Sequence, residues 1–151
     1  MPDVSPIVLE FELAVPPAEA WTRFVAGFSD WWPGETHSLS RDPRTRCLLE
    51  PRAGGRLYEV APDGSEHAWG RVDDIQPGAS VCFSWHPGRE PASAQQVAIR
   101  FAARPAGCRV RLVHGRWEAL GEIAPILRAQ YQPAWQHVLG ESYARYAGRR
   151  H

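Results

Sequence analysis

The sequence predicts a single α+β domain in which short antiparallel strands are followed by a long C-terminal helix. Two patterns support this prediction. Between residues 46 and 116, apolar and polar residues alternate in short runs that Gly- and Pro-containing turns separate. From 120 to 147, the apolar residues recur with helical spacing instead. Alternation is typical of strands with one buried face, and the change of period marks the change to a helix.

The first elements are one strand and two helices. Residues 7–15 alternate between apolar and other residues and predict a half-buried strand, which a Pro pair ends. Residues 18–28 carry apolar side chains at i, i+3, i+4 and i+7, the spacing of an amphipathic helix. A short second helix through Trp31-Trp32 is expected before a Pro-Gly stop, and residues 34–45 are expected to form a polar loop.

Six further strands are predicted in the middle of the chain. They lie near residues 46–51, 55–62, 66–75, 79–86, 95–104 and 108–116. Gly, Pro and Asp-Gly between them supply the backbone conformations that tight turns need. Such short links between successive strands predict an antiparallel meander.

The helical segment 120–147 contains two prolines. Pro125 fits a first helical turn, but Pro133 would remove one hydrogen bond and clash with the preceding turn. We therefore expect a kink or break near 130–133, followed by a helix of about 14 residues. The chain has no repeat, low-complexity segment or linker, so one domain over 1–151 is expected.

The composition argues against several classes of function. Seventeen basic and seventeen acidic residues cancel, which gives no electrostatic case for nucleic acid or an anionic membrane as a partner. There is no Lys, so a lysine Schiff base is excluded. Three separated cysteines, with no signal peptide and no membrane-spanning apolar run, predict a cytoplasmic protein with reduced thiols. No metal-ligand or dinucleotide-binding motif is present, so neither a metal nor a cofactor is expected.

Several segments of the chain resemble one known superfamily. They are Phe28-Ser-Asp-Trp-Trp-Pro33, Gly54-Gly-Arg-Leu-Tyr-Glu59, Asp63-Gly-Ser-Glu66, Trp69-Gly-Arg-Val72, Phe83-Ser-Trp-His-Pro87 and Val113-His-Gly-Arg-Trp117, with Tyr131, Trp135 and Leu139 in the tail. In order and spacing they resemble the SRPBCC or START-like superfamily, which includes the birch pollen allergen. The branch they resemble is the bacterial set similar to the C-terminal domain of the activator of the heat-shock protein 90 ATPase.

The resemblance implies a helix-grip fold. In that fold a curved antiparallel β-sheet of about seven strands wraps around a long C-terminal helix, with two short helices after strand 1. A cavity between sheet and helix is also implied. Members of the superfamily bind lipids and hormones, cyclise polyketides or act as co-chaperones, so the fold leaves the function open.

Strand parity predicts that one carboxylate and one imidazole face inward. His114 shares a strand face with Leu112, and Glu59 shares one with Leu57. Buried polar groups need partners. Glu59 and His114 would therefore orient a ligand or act as acid and base. Alternatively they are structural, with Glu59 paired to Arg71 and His114 bonded to a backbone carbonyl.

The chain contains seven tryptophans, and most belong to elements that would surround the cavity. Aromatic walls suit a flat apolar ligand, although the same side chains would also fill a core. In the loop after Pro33, His37 and Arg41 would gate the mouth and meet a ligand carboxylate, or simply be solvated. The predicted ligand-binding residues are Trp32, His37, Glu59, Trp69, Arg71, Trp85, His114, Trp117, Tyr131 and Trp135.

Three hypotheses for function follow. The first is a protein that binds a small hydrophobic or aromatic molecule, whose polar end lies near Glu59 or His114. The second is an enzyme of the cyclase, aromatase or isomerase kind that uses His114 and Glu59 as acid–base groups. The third is a chaperone-associated interaction module, which predicts an exposed apolar patch. Homodimerisation is compatible with each.

Overall fold

The structure, a computed structural model, describes residues 3–148 and contains one antiparallel sheet. Its strands are β1 (Ile7–Leu13), β2 (Arg46–Leu49), β3 (Arg56–Val60), β4 (Glu66–Gln76), β5 (Ser80–Trp85), β6 (Gln95–Arg104) and β7 (Gly107–Gly115). Their order across the sheet is β1-β7-β6-β5-β4-β3-β2. The connections β2 to β7 are therefore all between neighbours, as predicted for a meander, and β1 closes on the last strand.

Two helices follow β1, and a long helical segment ends the described chain. They are α1 (Pro17–Ala26), α2 (Phe28–Trp31), α3 (Ala124–His137) and α4 (Ala144–Ala147), with 3-10 turns at Pro91–Ser93 and Trp117–Ile123 and a π-helical turn at Val138–Tyr143. The segment from Trp117 to Ala147 lies across the curled sheet, which confirms the helix-grip fold. Within residues 3–148, no helix combines the length and apolar character needed to cross a bilayer.

The inner face of the sheet carries the alternating apolar residues that the sequence predicted. In β7, Val110, Leu112 and His114 are buried, while Arg109 and Arg111 point to the outer side. The C-terminal helix packs on this face at both ends. Aromatic contacts join Trp135 to Trp85 and Tyr143 to Phe11, with ring centroids 5.4 and 6.3 Å apart.

The sequence predicted a kink or break near residues 130–133, and the break is not formed. Helix α3 runs without interruption through Pro133. Both Pro133 and Ala129, whose carbonyl would have accepted the missing hydrogen bond, are exposed, so water can satisfy that carbonyl. The irregularity lies later instead, at Val138–Tyr143, where the helix widens by one π-turn.

A bulge between β3 and β4 alters the inner face next to the site described below. Leu57 pairs with Gly70 and Tyr58 with Ala68, which leaves Trp69 as an extra residue in β4. Because a bulge interrupts the alternation of faces, Trp69 and Gly70 are both buried. A Cβ atom at Gly70 would overlap the backbone carbonyl of Ser84 in β5. The strands can approach this closely only if residue 70 is glycine.

Gly70→Ala should therefore destabilise the protein. We expect the free energy of unfolding to fall by about 2 kcal/mol or more, because the backbone of β5 must move away from the new methyl group. Urea unfolding followed by circular dichroism measures this. Gly140→Ala is the matched control, because a Cβ there meets nothing closer than the Gln136 side chain at 3.6 Å. Equal stability of the two variants would contradict the close approach of β4 and β5.

Candidate functional site

A cavity of about 360 Å³ lies between the sheet and the C-terminal helix. This volume falls within the range of small-molecule pockets, roughly 300–1,000 Å³. Its walls are formed mainly by aromatic side chains from α3, β4, β5 and the end of α2, namely Trp32, Trp69, Trp85, Tyr131 and Trp135. Its mouth is bordered by the loop 34–45, which we call the cavity loop, and by Gln130 and Pro87.

The aromatic wall is a set of rings in mutual contact. The ring centroid of Trp32 lies 5.1 Å from that of Trp69, 5.8 Å from that of Trp85 and 6.0 Å from that of Trp135. The planes are tilted or perpendicular, an arrangement that aromatic quadrupoles favour. All four indoles are at least nine-tenths buried. The aromatic side of the cavity is therefore a continuous apolar surface.

Glu59 does not line this cavity. It is fully buried, and its carboxylate accepts four hydrogen bonds. The donors are the backbone amides of Leu39 at 2.6 Å and Ser40 at 3.0 Å, the Ser40 hydroxyl at 2.5 Å and the Trp69 indole at 2.9 Å. Burial raises the pKa of Glu59, but these hydrogen bonds together lower it further, so the pKa lies below its ordinary value of 4.5. Glu59 is an ionised group that holds the cavity loop and Trp69 in place.

The expected ion pair between Glu59 and Arg71 is not formed. Arg71 is exposed on the outer face of β4, and its guanidinium donates to the Gly54 carbonyl at 2.9 Å. The bulge at Trp69 sets Arg71 apart from the inner face on which Glu59 lies. Within residues 3–148, no cation lies at ion-pair distance from Glu59, and neutral donors alone saturate it.

His114 also lies outside the cavity lining, and both of its ring nitrogens have partners. Nδ1 accepts a hydrogen bond from the Trp135 indole at 2.9 Å, so the proton is on Nε2, which faces the Gln95 side-chain oxygen at 3.2 Å. The imidazole stacks on Trp117 with centroids 4.1 Å apart. Burial lowers the pKa of His114 to about 3. These partners are side chains, not the backbone carbonyl that the sequence suggested.

The cavity loop is attached at several points besides Glu59. The Trp32 indole donates to the His37 carbonyl at 2.8 Å, and the His37 ring stacks on His137 with centroids 5.1 Å apart. Burial lowers the pKa of His37, and the charges of His137 and Arg41 lower it further. Arg41 has a left-handed backbone, with φ of 46°, and its amide donates to the Ser38 hydroxyl at 2.9 Å. His37 and Arg41 both line the cavity.

The structure brings six of the ten predicted ligand-binding residues around one cavity. They are Trp32, His37, Trp69, Trp85, Tyr131 and Trp135. Glu59, His114 and Trp117 do not line it. Glu59 and His114 instead support lining indoles through hydrogen bonds, and Trp117 supports His114 by stacking. Arg71 lies on the outer face of the sheet.

Sequence reasoning missed three lining residues on one face of α3. Leu127, Gln130 and Ala134 line the cavity together with Tyr131. They occupy positions i, i+3, i+4 and i+7 of a helix, a spacing that identifies a single face.

Comparison with known families gives one match over most of the chain. The profile of the family described as activator of Hsp90 ATPase homolog 1-like protein matches residues 14–147. No curated protein sequence matches significantly.

Solved structures with the same fold cover nearly the whole chain. MLL2253 from Mesorhizobium loti superposes with a TM-score of 0.67 at 15% identity, over 93% of this chain and 95% of that one. CV1439 from Chromobacterium violaceum gives 0.65 at 19% identity, over 97% and 99%. Txn09, an anthrahydroquino-gamma-pyrone synthase solved in complex with SUM, gives 0.62 at 25% identity, over 97% of each chain.

Replacement of Glu59 tests its role as an ionised support. Glu59→Gln should lower the free energy of unfolding at neutral pH by about 2–4 kcal/mol. The side-chain amide nitrogen of Gln would face hydrogen-bond donors whose bonds a carboxylate oxygen now accepts. The lowered pKa means that the stabilisation by Glu59 is present above pH 4.5 and is lost as the pH falls through the folded-state value. Urea unfolding at a series of pH values should therefore show the difference from wild type shrinking in acid.

The exposed variant Glu122→Gln is the control for Glu59→Gln, and it should change stability by less than about 0.5 kcal/mol. A cost of Glu59→Gln that stays constant with pH would contradict an ionised Glu59.

The imidazole of His114 should remain neutral well below physiological pH. Burial lowers its pKa to about 3, so its ring nitrogens should keep the Nε2-protonated pattern in long-range ¹H–¹⁵N spectra between pH 7 and pH 4. A titration midpoint of His114 near its ordinary pKa of 6.5 would contradict this, because it would show that the ring is accessible to water and lacks the hydrogen bonds described above.

Proposed function

Because the chain belongs to the family of activator of Hsp90 ATPase homolog 1-like proteins, we propose that it binds a small planar aromatic molecule in the cavity between its sheet and its C-terminal helix. The family assignment and the structural neighbours agree with the SRPBCC resemblance of the sequence. The single observation that supports the proposal best is the cavity itself, whose walls are aromatic and whose volume is about 360 Å³.

The lining favours an aromatic ligand over a flexible aliphatic one. Aromatic pairs gain energy beyond their buried area when rings meet edge-to-face or offset. Trp32, Trp69, Trp85 and Trp135 already hold one another in such contacts. A flat ring system that enters among them would meet walls whose rotamers are fixed, so little side-chain entropy is lost on binding.

The polar end of the ligand is assigned to the mouth. The sequence suggested that Glu59 or His114 would meet the polar end of the ligand. However, both side chains already form hydrogen bonds within the protein, and neither lines the cavity. Arg41 is exposed at the mouth and makes no ion pair with any of residues 3–148. Its guanidinium suits an anionic substituent such as a carboxylate, for which Arg offers a bidentate fork.

One structural neighbour supports the aromatic class. Txn09 is described as an anthrahydroquino-gamma-pyrone synthase, a name that denotes a fused aromatic compound. At 25% identity over 97% of both chains, it shares the fold in which this cavity lies. An acid–base role of Glu59 and His114 in this chain has no comparable support, because neither side chain reaches the cavity.

A variant that fills the cavity tests the proposal. Ala134 lines the cavity, whereas Ala129 lies on the exposed side of the same helix. With 2-naphthoate as the probe, the melting temperature of the wild type should rise with ligand concentration, as linkage requires. Ala134→Phe should abolish this rise and the heat of binding in calorimetry, and Ala129→Phe should keep both.

Two results would contradict the proposal. One is the absence of any stabilisation by 2-naphthoate and related aromatic acids. The other is undiminished binding by Ala134→Phe, which would place the ligand elsewhere. Stimulation of a chaperone ATPase by the wild type and by Ala134→Phe alike would instead support the interaction-module hypothesis.

A further inference from the structure

The cavity loop is attached to the sheet and to the C-terminal helix by contacts of different kinds. On the sheet side, the backbone amides of Leu39 and Ser40 donate to the buried carboxylate of Glu59. On the helix side, no hydrogen bond or ion pair joins the loop to α3 among the described residues. There the loop meets α3 through a pair of stacked imidazoles, those of His37 in the loop and His137 at the end of α3.

The stacked pair borders the mouth of the cavity. His37 lines the cavity itself, and so does Ala134, which lies three residues before His137 on the same side of α3. The two ring centroids are 5.1 Å apart, and the ring planes are inclined by 26°. The Trp32 indole donates to the His37 carbonyl at 2.8 Å, so the position of His37 is also coupled to the aromatic wall. Separation of the two rings would release this part of the loop from the helix and widen the mouth.

The charges around the stack oppose protonation of His37. Arg41 on the same loop carries a positive charge, and His137 on the helix carries one when it is protonated. Among the described residues, no carboxylate lies at ion-pair distance from His37. The carboxylate of Glu141 lies 3.6 Å from Nδ1 of His137, and that of Glu59 is bound to the loop backbone. Burial lowers the pKa of His37, and the charges of His137 and Arg41 lower it further.

Protonation of His37 is therefore coupled to separation of the rings. A ring that has left the stack regains water and its ordinary pKa of 6.5, so the open loop binds a proton more readily than the closed loop. The closed loop is favoured above pH 6.5 and loses that advantage as the pH falls through the lowered value. Two charged imidazoles also repel each other, whereas neutral rings stack.

We propose that His37 and His137 form a latch that closes the cavity loop on α3 at neutral pH and opens it in mild acid, when both rings are charged. Because it describes the regulation of the ligand site, this inference rests on the proposed function. The latch makes ligand exchange faster in mild acid than at neutral pH. The attachment of the loop to the sheet persists at pH 5, because the pKa of Glu59 lies below 4.5 and its carboxylate stays ionised.

The first measurement needs no ligand. Hydrogen exchange of the Trp32 indole N–H, expressed as protection relative to a free indole at the same pH, reports whether the His37 carbonyl still accepts from it. Between pH 7.5 and pH 5 this protection should fall about fourfold, the factor by which two unit charges about 5 Å apart disfavour contact in water. The Trp31 indole, which donates to the Phe24 carbonyl in the core, should keep its protection.

Two variants assign the effect to the stacked pair. His137→Gln and His37→Gln each leave at most one charged ring, so each should abolish the fall in Trp32 protection. His67→Gln is the matched control and should leave the fall unchanged, because His67 is an exposed histidine of β4 whose ring contacts the Ser65 hydroxyl. Equal pH dependence in the wild type and in His137→Gln would overturn the latch.

Ligand exchange separates the latch from the proposed function. Naphthalene-2-sulfonate is the probe, because its charge stays constant between pH 7.5 and pH 5, and its dissociation rate is obtained from NMR line shapes. This rate should rise about fourfold in the wild type and stay constant in His137→Gln. A rise of equal size in both would overturn the latch and leave aromatic binding intact. No binding of the probe, together with the expected Trp32 result, would overturn the proposed function and support the latch as a contact of the loop.

Discussion

A carboxylate buried without a counter-ion costs several kcal/mol unless neutral donors saturate it. Glu59 is held in this way by two backbone amides of the cavity loop, one hydroxyl of that loop and the Trp69 indole. Because the donors come from both the loop and the sheet, satisfying one charge fixes the position of both. The loop forms the mouth of the cavity and Trp69 forms part of its wall, so the shape of the cavity depends on this one group.

His114 supports another part of the cavity wall, through Trp135. Its ring accepts from Trp135 on the C-terminal helix, donates to Gln95 on β6 and stacks on Trp117. The polar groups that resembled an acid–base pair are therefore supports that orient the aromatic wall.

The antiparallel meander, the inward faces of β1, β3, β5, β6 and β7 and most of the aromatic lining could be predicted from the sequence, because turn residues mark the links between strands and alternation reports which side chains turn inward. Strand β4 is the exception, because the bulge at Trp69 interrupts its alternation. Alternation correctly placed Glu59 and His114 inside. It could not show that the donors to Glu59 come from Leu39 and Ser40, some twenty positions away and in a loop with no periodic pattern. The break predicted near Pro133 was wrong for a related reason. The free-energy cost of a proline inside a helix depends on whether the carbonyl that loses its hydrogen bond meets solvent, and only the tertiary structure shows this.

The most direct test of an aromatic-binding cavity is a ¹H–¹⁵N spectrum of the seven indole N–H groups during titration with 2-naphthoate. The four indoles of the wall, those of Trp32, Trp69, Trp85 and Trp135, should shift progressively and saturate together. The indole of Trp21, which donates to Ser80 outside the cavity lining, should stay in place. Unchanged positions of all four wall indoles at saturating ligand, or shifts confined to Trp21, would contradict binding in this cavity.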